Sequence, residues 1–507
     1  MAEDQKPFHI IVAGGGLVGL SAAHIFQSLA ATLSASSSRP VVRFTVLEAH
    51  PSVTPYIGSL LLFYPSTFRV YDQLGLLSAL RPLVDETNFY VNFRAEDGSV
   101  LCRETGLADM AERRHGHGFR VVHRPVFVEC LYENLSQESK SSVLLGKRVV
   151  GAQVDDEGVK VTCQDGTVVE GDILIGADGV RSRVRSAMQQ LKAKAEEDPE
   201  AAAEEAERAK NDKSPYLASF RMLFGNAPIP PGLPNETNFE GAHPGISTQI
   251  LTGTKQAWWA VYEQLETPTR DRARYTEDDK QKLVEKWGHL HMTPGYTLND
   301  IISKHNRGPL GLINLEEGLV DTWTWDRIVL VGDAVRKVEP HAGLGFNQGL
   351  TDIVTIANKL HGLLKSSGPA PSADDLRRIF EEYQGERLEV MPTIDRVCRR
   401  RARQVAWPHW GFRVYATWVL PYVPLARLGL KYVMGPVIKK TPVLEWLEEQ
   451  NLPAHEIEYE HQGLQDSKLS TQAVVGKGEH KYGLPLVTAA GLLAGLAVVG
   501  WRYYPRI

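Results

Sequence analysis

The chain has 507 residues, of which 43% are hydrophobic and 23% charged, a composition typical of a folded protein with several domains. Its 56 lysines and arginines and 61 aspartates and glutamates give a formal net charge of -5, so it lacks the basic surplus that nucleic-acid binding requires. The four cysteines are far apart in the sequence and form no CxxC pair. We therefore expect a reducing compartment, with neither a disulfide framework nor a cysteine zinc site.

The first elements predict one strand–helix–strand unit. Phe8–Ala13 is an apolar run with β-branched residues, which is typical of a buried parallel strand. Gly19–Ala30 has helical spacing, and Arg43–Glu48 predicts a second strand. The serine-rich segment Ala31–Pro40 between them predicts an inserted surface loop. Met1–Pro7 has neither the basic start nor the apolar core of a signal peptide, so secretion by that route is not expected.

A GxGxxG motif joins the first strand to the helix. Gly14 permits a tight turn, Gly16 lets the backbone approach a pyrophosphate, and Gly19 allows close packing of helix on strand. The helix N-terminus then presents free N–H groups to the phosphates. Glu48 ends the second strand, where its carboxylate can accept hydrogen bonds from an adenosine ribose. A carboxylate there disfavours a 2′-phosphate, so the motif favours FAD or NAD over NADP.

Two further strand–turn motifs follow. The segment Gly171–Arg185 predicts a buried strand that delivers Asp178 and Gly179 to a turn before a helix. The segment Arg327–Gly349 predicts a strand ending at Asp333, then a proline and a glycine-rich stretch that opens another helix. Each motif alone is explained equally well as a capped turn without a ligand.

Other segments predict β structure. Val159–Cys163 alternates with period two and leads through the Asp165-Gly166 turn into Thr167–Val169, which predicts a hairpin. Ala257–Tyr262 predicts another strand, and the charged stretch 190–213 predicts a solvated helix or a flexible insertion. The chain is thus expected to combine a nucleotide-binding α/β domain with a β-rich domain threaded through it.

The C-terminal part has a different composition. Trp407–Val437 is rich in Trp and Tyr and is interrupted by basic residues, so it is interpreted as a monotopic surface helix, an apolar channel wall or the core of a helical subdomain. A polar linker follows over His455–His480. Tyr482–Trp501 has twenty residues without charge, about 30 Å as a helix, and predicts a transmembrane helix rather than a buried one. Lys481 and Arg502 flank both ends, so its orientation is not determined.

The three motifs together resemble the single-component FAD-dependent monooxygenases, the family of aromatic hydroxylases and squalene epoxidase. Their details are most similar to the fungal branch that modifies secondary metabolites such as meroterpenoids and indole diterpenes. The similarity runs from about Phe8 to about Gln384. It implies an α/β fold with a Rossmann-like FAD-binding domain and an interleaved β-rich substrate domain. Beyond the similarity, the composition adds a C-terminal helical extension with one transmembrane helix. The implied divisions are the FAD-binding domain at 8–185 (with interleaved β segments) and 321–400, the substrate domain at 186–320 with the insertion at 190–213, an aromatic-rich helical region at 401–454, a polar linker at 455–481 and the transmembrane helix at 482–504.

The resemblance also implies which residues bind FAD. The GxGxxG motif and the carboxylate of the second strand would bind the ADP part, followed by a glycine turn and by an arginine that begins a helix. The Asp-Gly turn is shared with the nicotinamide cofactor. An aspartate would contact the ribityl chain, and a glycine-rich loop would lie beside the isoalloxazine ring. These residues are Gly14, Gly16, Gly19, Glu48, Gly58, Arg124, Asp178, Gly179, Asp333, Gly343, Gly345 and Phe346. Leu60–Leu62 departs from the family, which commonly has small residues there.

In this family NAD(P)H reduces FAD, and one oxygen atom of O2 is transferred to a bound substrate, here expected to be a hydrophobic small molecule. No metal is expected, because His115 and His117 form a loop pair without an obvious third ligand. Relatives place an arginine and a tyrosine on substrate-domain strands, so Arg221 and Tyr262 are the candidate catalytic residues. An ordinary structural role is the alternative for each.

The first functional hypothesis is epoxidation of a prenyl chain on a hydrophobic fungal intermediate, whose epoxide a terpene cyclase would open. A membrane location, with one C-terminal span and the catalytic domain on the cytosolic side of the endoplasmic reticulum, would suit such a substrate. The alternatives are hydroxylation of an activated aromatic ring, reduction of prenyl double bonds, and a non-catalytic interaction module on the same fold. Retention of Glu48, Asp178 and Asp333 argues against the last.

Overall fold

The computed structural model describes residues 6–35, 41–53, 60–200, 203–204, 207, 213–306, 308–422 and 425–464. The predicted strand–helix–strand unit is confirmed: strand Phe8–Ala13, helix Leu17–Ser34 and strand Val42–Leu47. The helix extends four residues into the predicted loop, because Leu33 is buried and gives the last turn an apolar contact.

This unit lies at the centre of a six-stranded sheet. Phe8–Ala13 pairs in parallel with Val42–Leu47 on one side and with Ile173–Gly176 on the other. All six residues of Phe8–Ala13 are buried, as expected for a strand covered on both faces. The spatial order of the strands is Thr324–Trp325, Ile328–Leu330, Ile173–Gly176, Phe8–Ala13, Val42–Leu47 and Val143–Leu144.

A second, eight-stranded sheet forms the predicted β-rich domain. It takes strands from widely separated parts of the chain, which confirms that the β-rich domain is interleaved with the nucleotide-binding domain. The order of its strands is Arg336–Lys337, Gly311–Leu319, Lys213–Pro228, Gln256–Asp271, Ile246–Thr252, Thr237–His243, Phe89–Arg94 and Val100–Thr105.

Three smaller sheets make up the rest of the β structure in the part of the chain that the structure describes. The predicted hairpin is confirmed by the antiparallel strands Gly158–Cys163 and Val168–Gly171, which Val149–Asp155 joins. The others are a three-stranded sheet (Leu60–Phe63, Arg120–His123 and Val84–Glu86) and a two-stranded one (His291–Thr293 and Tyr296–Thr297).

The helices cover the sheets and build the C-terminal region. One long helix, Ala373–Ala406, continues through residue 400, where the sequence suggested a domain division. Among the described residues, the other α-helices after the first are Pro65–Gln73, Leu77–Leu80, Leu107–His115, Arg124–Glu133, Gln137–Ser141, Arg183–Ala195, Glu277–Trp287, Leu298–Asp300, Gly345–Ser367, Trp410–Trp418, Leu425–Gly429 and Gly435–Lys439.

The C-terminal end of the described chain is fastened to the nucleotide-binding domain. Arg69, fully buried, forms an ion pair with Glu449 at 2.6 Å, and its guanidinium lies 3.6 Å from the centroid of the Tyr459 ring. The Tyr459 hydroxyl donates a hydrogen bond to the carbonyl of His115 at 2.7 Å. The first ten residues of the predicted linker therefore pack on the domain, because a buried tyrosine anchors them.

The predicted transmembrane helix at 482–504 lies outside the described residues. Within the described ranges, the one helix long and apolar enough to cross a bilayer is Leu17–Ser34. That helix packs in the main core beside the central sheet, with Leu20, Ile25 and Phe26 fully buried.

Candidate active site

The glycine motifs meet at one edge of the central sheet. Ala13 is in register with both Leu47 and Gly176, and Gly176 is in register with Leu330. These residues are the last of four neighbouring parallel strands, so the loops that follow all begin at the same edge. In open parallel sheets this carboxyl edge is where ligands bind.

The GxGxxG loop is folded so tightly that larger residues would not fit. Gly14 has φ +105°, and a Cβ atom there would lie 2.5 Å from the carbonyl oxygen of Ala177, in the second motif. A Cβ atom at Gly19 would lie 1.8 Å from the carbonyl oxygen of Gly14. At Gly16, by contrast, a Cβ atom would meet nothing within 4 Å. The loop thus leaves open space at Gly16, beside the helix N-terminus.

Glu48 is held against this loop. Its Oε2 accepts a hydrogen bond from the backbone N–H of Gly15 at 2.6 Å, and its Oε1 accepts one from the N–H of His50 at 2.7 Å. A carboxylate has about four lone-pair sites. Two bonds fix its direction and leave acceptor capacity for ribose hydroxyls.

Asp178 caps the helix that follows the second motif. Its Oδ2 accepts hydrogen bonds from the N–H groups of Arg183 and Val184 at 2.7 and 3.1 Å. Its Oδ1 is buried and has no hydrogen-bond partner among the described residues. Burial raises the pKa of this carboxyl group. Gly179, with φ +77°, makes the turn that a residue with a side chain rarely adopts.

The second and third motifs are joined by a buried arginine. Arg185 donates hydrogen bonds to the carbonyl oxygens of Ala334 at 2.8 Å and Val180 at 3.0 Å. Tyr216 donates one to the carbonyl of Asp333 at 3.1 Å, and the Asp333 carboxylate forms an ion pair with Lys337. The turn that carries Asp333 is therefore fixed by contacts from both domains.

The loop at 343–347 lies against the strand Leu60–Phe63. Gly343 has φ +65°, and a Cβ atom there would lie 2.6 Å from Cβ of Leu62. Gly345 begins the helix Gly345–Ser367, and the Phe346 side chain packs 5.5 Å from the ring of Phe127 in the core. The backbone of this loop, and not the Phe346 ring, is what faces outward from the core.

Asn347 ties that loop to its neighbours. Its side-chain oxygen accepts hydrogen bonds from the N–H of Tyr64 at 3.0 Å and the hydroxyl of Thr67 at 2.6 Å. Its side-chain nitrogen donates to the carbonyls of Leu62 and Gly343, each at 2.8 Å. Asn347 is not among the cofactor residues expected from the sequence, and its signal was an amide in an otherwise glycine-rich helix start.

Two other predicted cofactor residues have different outcomes. Arg124 is the first residue of helix Arg124–Glu133, exposed and without an ion pair to the part of the chain that the structure describes. Its cation is therefore available to a ligand. Gly58 lies outside the described residues.

The two candidate catalytic residues lie on opposite faces of the eight-stranded sheet. Tyr262 is in register with Met222, and Arg221 with Glu263, so period-two alternation separates them. Tyr262 belongs to the apolar cluster on the face toward the glycine-rich loop. Arg221 pairs instead with Glu263 on the other face, its Nε at 2.6 Å from Oε2. The structure thus brings Tyr262, but not Arg221, to the site.

A histidine of the glycine-rich loop packs on Tyr262. The ring centroids of His341 and Tyr262 are 3.9 Å apart, and His341 Nε2 lies 3.3 Å from the hydroxyl oxygen of Ser247. His341 Nδ1 contacts the carboxylate of Glu339, and both side chains are almost fully buried. Sequence reasoning missed this pair; its signal was the Glu-Pro-His triplet before the glycines.

The departure at Leu60–Leu62 has a structural reason. Leu60 and Leu62 pack with Leu251 and Trp258 of the eight-stranded sheet. They form an apolar contact between the two domains.

The residues present fit FAD. The first turn of helix Leu17–Ser34 has no side-chain cap and no acidic residue, so its N–H groups are available to a pyrophosphate beside the open space at Gly16. Glu48 has spare acceptor capacity, and Oδ1 of Asp178 is buried without a partner among the described residues.

Comparison with known proteins decides the family. The family described as FAD binding domain matches residues 8–392, and the FAD-dependent monooxygenase srdH of Neurospora crassa is 30% identical over 425 residues, covering 82% of this chain and 90% of the relative. The chain belongs to the FAD-dependent monooxygenases. A second relative of this monooxygenase, ausM of Penicillium brasilianum, is 28% identical over 391 residues, covering 76% of this chain and 77% of the relative.

Solved structures agree in fold. Klebsiella pneumoniae HpxO, complexed with FAD and uric acid, matches this monooxygenase with a TM-score of 0.63 and 17% identity, over 84% of this chain and 95% of that one. A salicylate hydroxylase substrate complex matches with a TM-score of 0.61 and 17% identity, over 85% and 95%. The predicted family, its fungal secondary-metabolite branch, the cofactor FAD and the NAD(P)H reductant typical of the family are confirmed.

Proposed function

We propose that this monooxygenase epoxidises a prenyl chain of a hydrophobic meroterpenoid-type intermediate. The observation that carries the proposal is the apolar composition of the sheet face toward the glycine-rich loop. Its members are Phe220, Met222, Ala260, Tyr262 and Leu315, with Ala402 and Ala406 of the long helix beside them. These side chains are buried together in one cluster, so this face offers a hydrocarbon chain apolar neighbours from which water is excluded.

The reaction divides between cofactor and protein. When bound, FAD supplies the redox chemistry, taking two electrons from NAD(P)H and passing one oxygen atom of O2 to the substrate. The balance is NAD(P)H, a proton, O2 and an alkene giving NAD(P)+, water and an epoxide. An isolated alkene needs no base, so the protein's part is to orient the chain beside Tyr262 and keep the site dry.

Hydroxylation of an activated aromatic ring is the second candidate, and the His341–Glu339 pair favours it. A phenol reacts better as a phenolate, and a buried imidazole backed by a carboxylate is a suitable base. In that reaction Nε2 of His341 would take the phenol proton, while Glu339 would hold Nδ1.

Purified enzyme with NADPH, 18O2 and substrates carrying both a phenol and a prenyl chain tests the two candidates. We expect the label in an epoxide on the prenyl chain, at a rate that His341→Gln changes little. Label on the ring, with strong loss of turnover in His341→Gln, would establish the second candidate instead. Reductant consumed with a saturated prenyl bond and no label would indicate a reductase, and a colourless protein a non-catalytic module.

We also propose that the enzyme is membrane-bound. The support is the run of twenty uncharged residues Tyr482–Trp501, with Trp501 and Tyr503 positioned as an interfacial belt. The catalytic domain would lie on the cytosolic side of the endoplasmic reticulum, where a lipophilic substrate partitions and a terpene cyclase could take up the epoxide. Fractionation of cells expressing the full chain and a chain ending at residue 481 tests this, since the shorter chain should leave the membrane fraction.

A further inference from the structure

The helix Trp410–Trp418 carries its largest apolar side chains on the solvent side. Trp410, Val414 and Trp418 recur every four residues and so lie on one face, with Trp410 80% and Trp418 70% exposed. Tyr422, in the turn Leu420–Tyr422, continues the row and is 78% exposed. We call these four residues the aromatic face.

Packing of the opposite side fixes this orientation. Ala416 and Phe412 contact Val405, Trp407 and Ala242, which belong to the long helix, its end and the eight-stranded sheet. The helix therefore has an apolar side that is buried and a second apolar side that is not. An exposed apolar surface of this kind marks a contact with a membrane or another molecule.

The segment that carries the aromatic face has side-chain charges of one sign only. Residues 396–444 contain ten lysines and arginines and no aspartate or glutamate, in a chain whose formal net charge is -5. Inward-facing arginines of this segment pair with carboxylates of the body, as Arg403 does with Glu317 at 3.3 Å. Arg413 and Lys431 are exposed and form no ion pair with the described residues.

We propose that the aromatic face is a docking surface for an anionic lipid bilayer. Trp and Tyr are favoured at headgroup depth, and exposed lysines and arginines are attracted to anionic lipids. The proposal deepens the proposed membrane location and rests on it: Tyr482–Trp501 would hold the chain at the bilayer, and the aromatic face would lay the catalytic body on the surface. The seventeen residues 465–481 that join the described body to this run can span at most about 60 Å.

A fluorophore placed on the aromatic face tests the proposal. In the full chain with Cys102→Ser, the other three cysteines are buried, so Val414→Cys can be labelled with a polarity-sensitive dye. Val168→Cys, 54% exposed on the three-stranded sheet, is the matched control. Protein is bound to phosphatidylcholine vesicles containing phosphatidylserine, and the bound fraction is isolated by flotation.

We expect the dye at position 414 to become several-fold brighter and to be quenched by brominated acyl chains, while the dye at position 168 stays as in water. Equal, water-like emission at both positions in the vesicle-bound protein would overturn the proposal, even if the C-terminal anchor holds. No vesicle binding at all would overturn both. FAD content and NADPH oxidation in detergent test the monooxygenase chemistry separately, so its failure is distinguishable.

The charge requirement has its own measurement. Replacing both Arg413 and Lys431 by Gln should weaken partition to phosphatidylserine vesicles by about twenty-five-fold, since each cation near an anionic surface contributes about a factor of five. Binding to pure phosphatidylcholine should not change. Equal losses on both lipids, or none on either, would show that the surface does not select anionic lipid.

Discussion

Asn347 gives the sharpest test of how the flavin loop is built. The residue is buried, and its four hydrogen bonds join Gly343 of the loop to Leu62 in the strand Leu60–Phe63 and to Tyr64 and Thr67 at the start of helix Pro65–Gln73. Asn347→Ala leaves four groups unpaired, each worth about 1–3 kcal/mol when buried. Water entering the vacated space offsets part of this, so we expect a loss of about 3–4 kcal/mol at this position.

The matched control is Asn358→Ala, on the same helix. Asn358 makes two side-chain hydrogen bonds, to the carbonyl of Val443 at 2.8 Å and from the N–H of Glu445 at 3.2 Å, and it is half-buried. It lies away from the flavin loop, so its loss should cost about 1 kcal/mol and leave FAD affinity unchanged.

The assay is FAD titration of the apoprotein together with the temperature of flavin release. FAD binds only when the loop is ordered. If about half of the free energy lost in Asn347→Ala falls on this ordering, FAD should bind about ten-fold more weakly, because 1.4 kcal/mol corresponds to a factor of ten. Equal FAD affinity in Asn347→Ala and Asn358→Ala would refute the reasoning, since the loop would then be held by other contacts.

Three further predictions concern the loop, the core and the sheet. Gly14→Ala should abolish FAD binding because its Cβ would lie 2.5 Å from a backbone oxygen, whereas Gly146→Ala, at φ +70° with open space around it, should retain the flavin spectrum. Burial, and then the positive charge of Arg43, lower the pKa of His9 to about 4. The stability that depends on neutral His9 is therefore complete above pH 6.5 and is lost as the pH falls toward 4. His9→Asn should remove up to about 3 kcal/mol of this pH dependence of the free energy of unfolding. Arg221→Gln should lower thermal stability without altering KM for the substrate. Tyr262→Phe should raise the KM, and it also removes the hydrogen bond of 2.9 Å from the Tyr262 hydroxyl to Gln249.

Each of these has a clear contrary outcome. Flavin bound normally by Gly14→Ala would mean that the loop relaxes around a side chain. If the free energy of unfolding of His9→Asn falls with pH as it does in the unmodified protein, groups other than His9 take up the protons that destabilise the fold in acid. A raised substrate KM in Arg221→Gln would bring that residue back to the site despite its ion pair with Glu263 at 2.6 Å.

Local sequence patterns were enough for the parts of the site that depend on neighbouring residues. The strand Phe8–Ala13, its glycine turn and the helix after it follow from apolar runs and glycines within one short stretch, and the structure confirms them. The position of Asp178 was predictable for the same reason, because the strand, the turn and the capped helix around it depend on residues a few positions apart.

Residues that depend on pairing across the chain were not predictable in this way. Arg221 and Tyr262 both lie on substrate-domain strands, and only the register of one strand against another places them on opposite faces. Likewise His341 reaches Tyr262 and Ser247 only because the glycine-rich loop crosses under a sheet built from distant segments.

The sequence by itself determined the family, the cofactor and the order of the glycine motifs. Each of these motifs is a short run of neighbouring residues whose pattern is set by the FAD that it binds. The tertiary structure decided which side chains meet at the substrate face, that Asn347 holds the flavin loop, and that Trp410 and Trp418 point outward from a packed helix. The physical reason is that strand register and helix packing are set by burial summed over distant segments, which no single stretch of sequence contains.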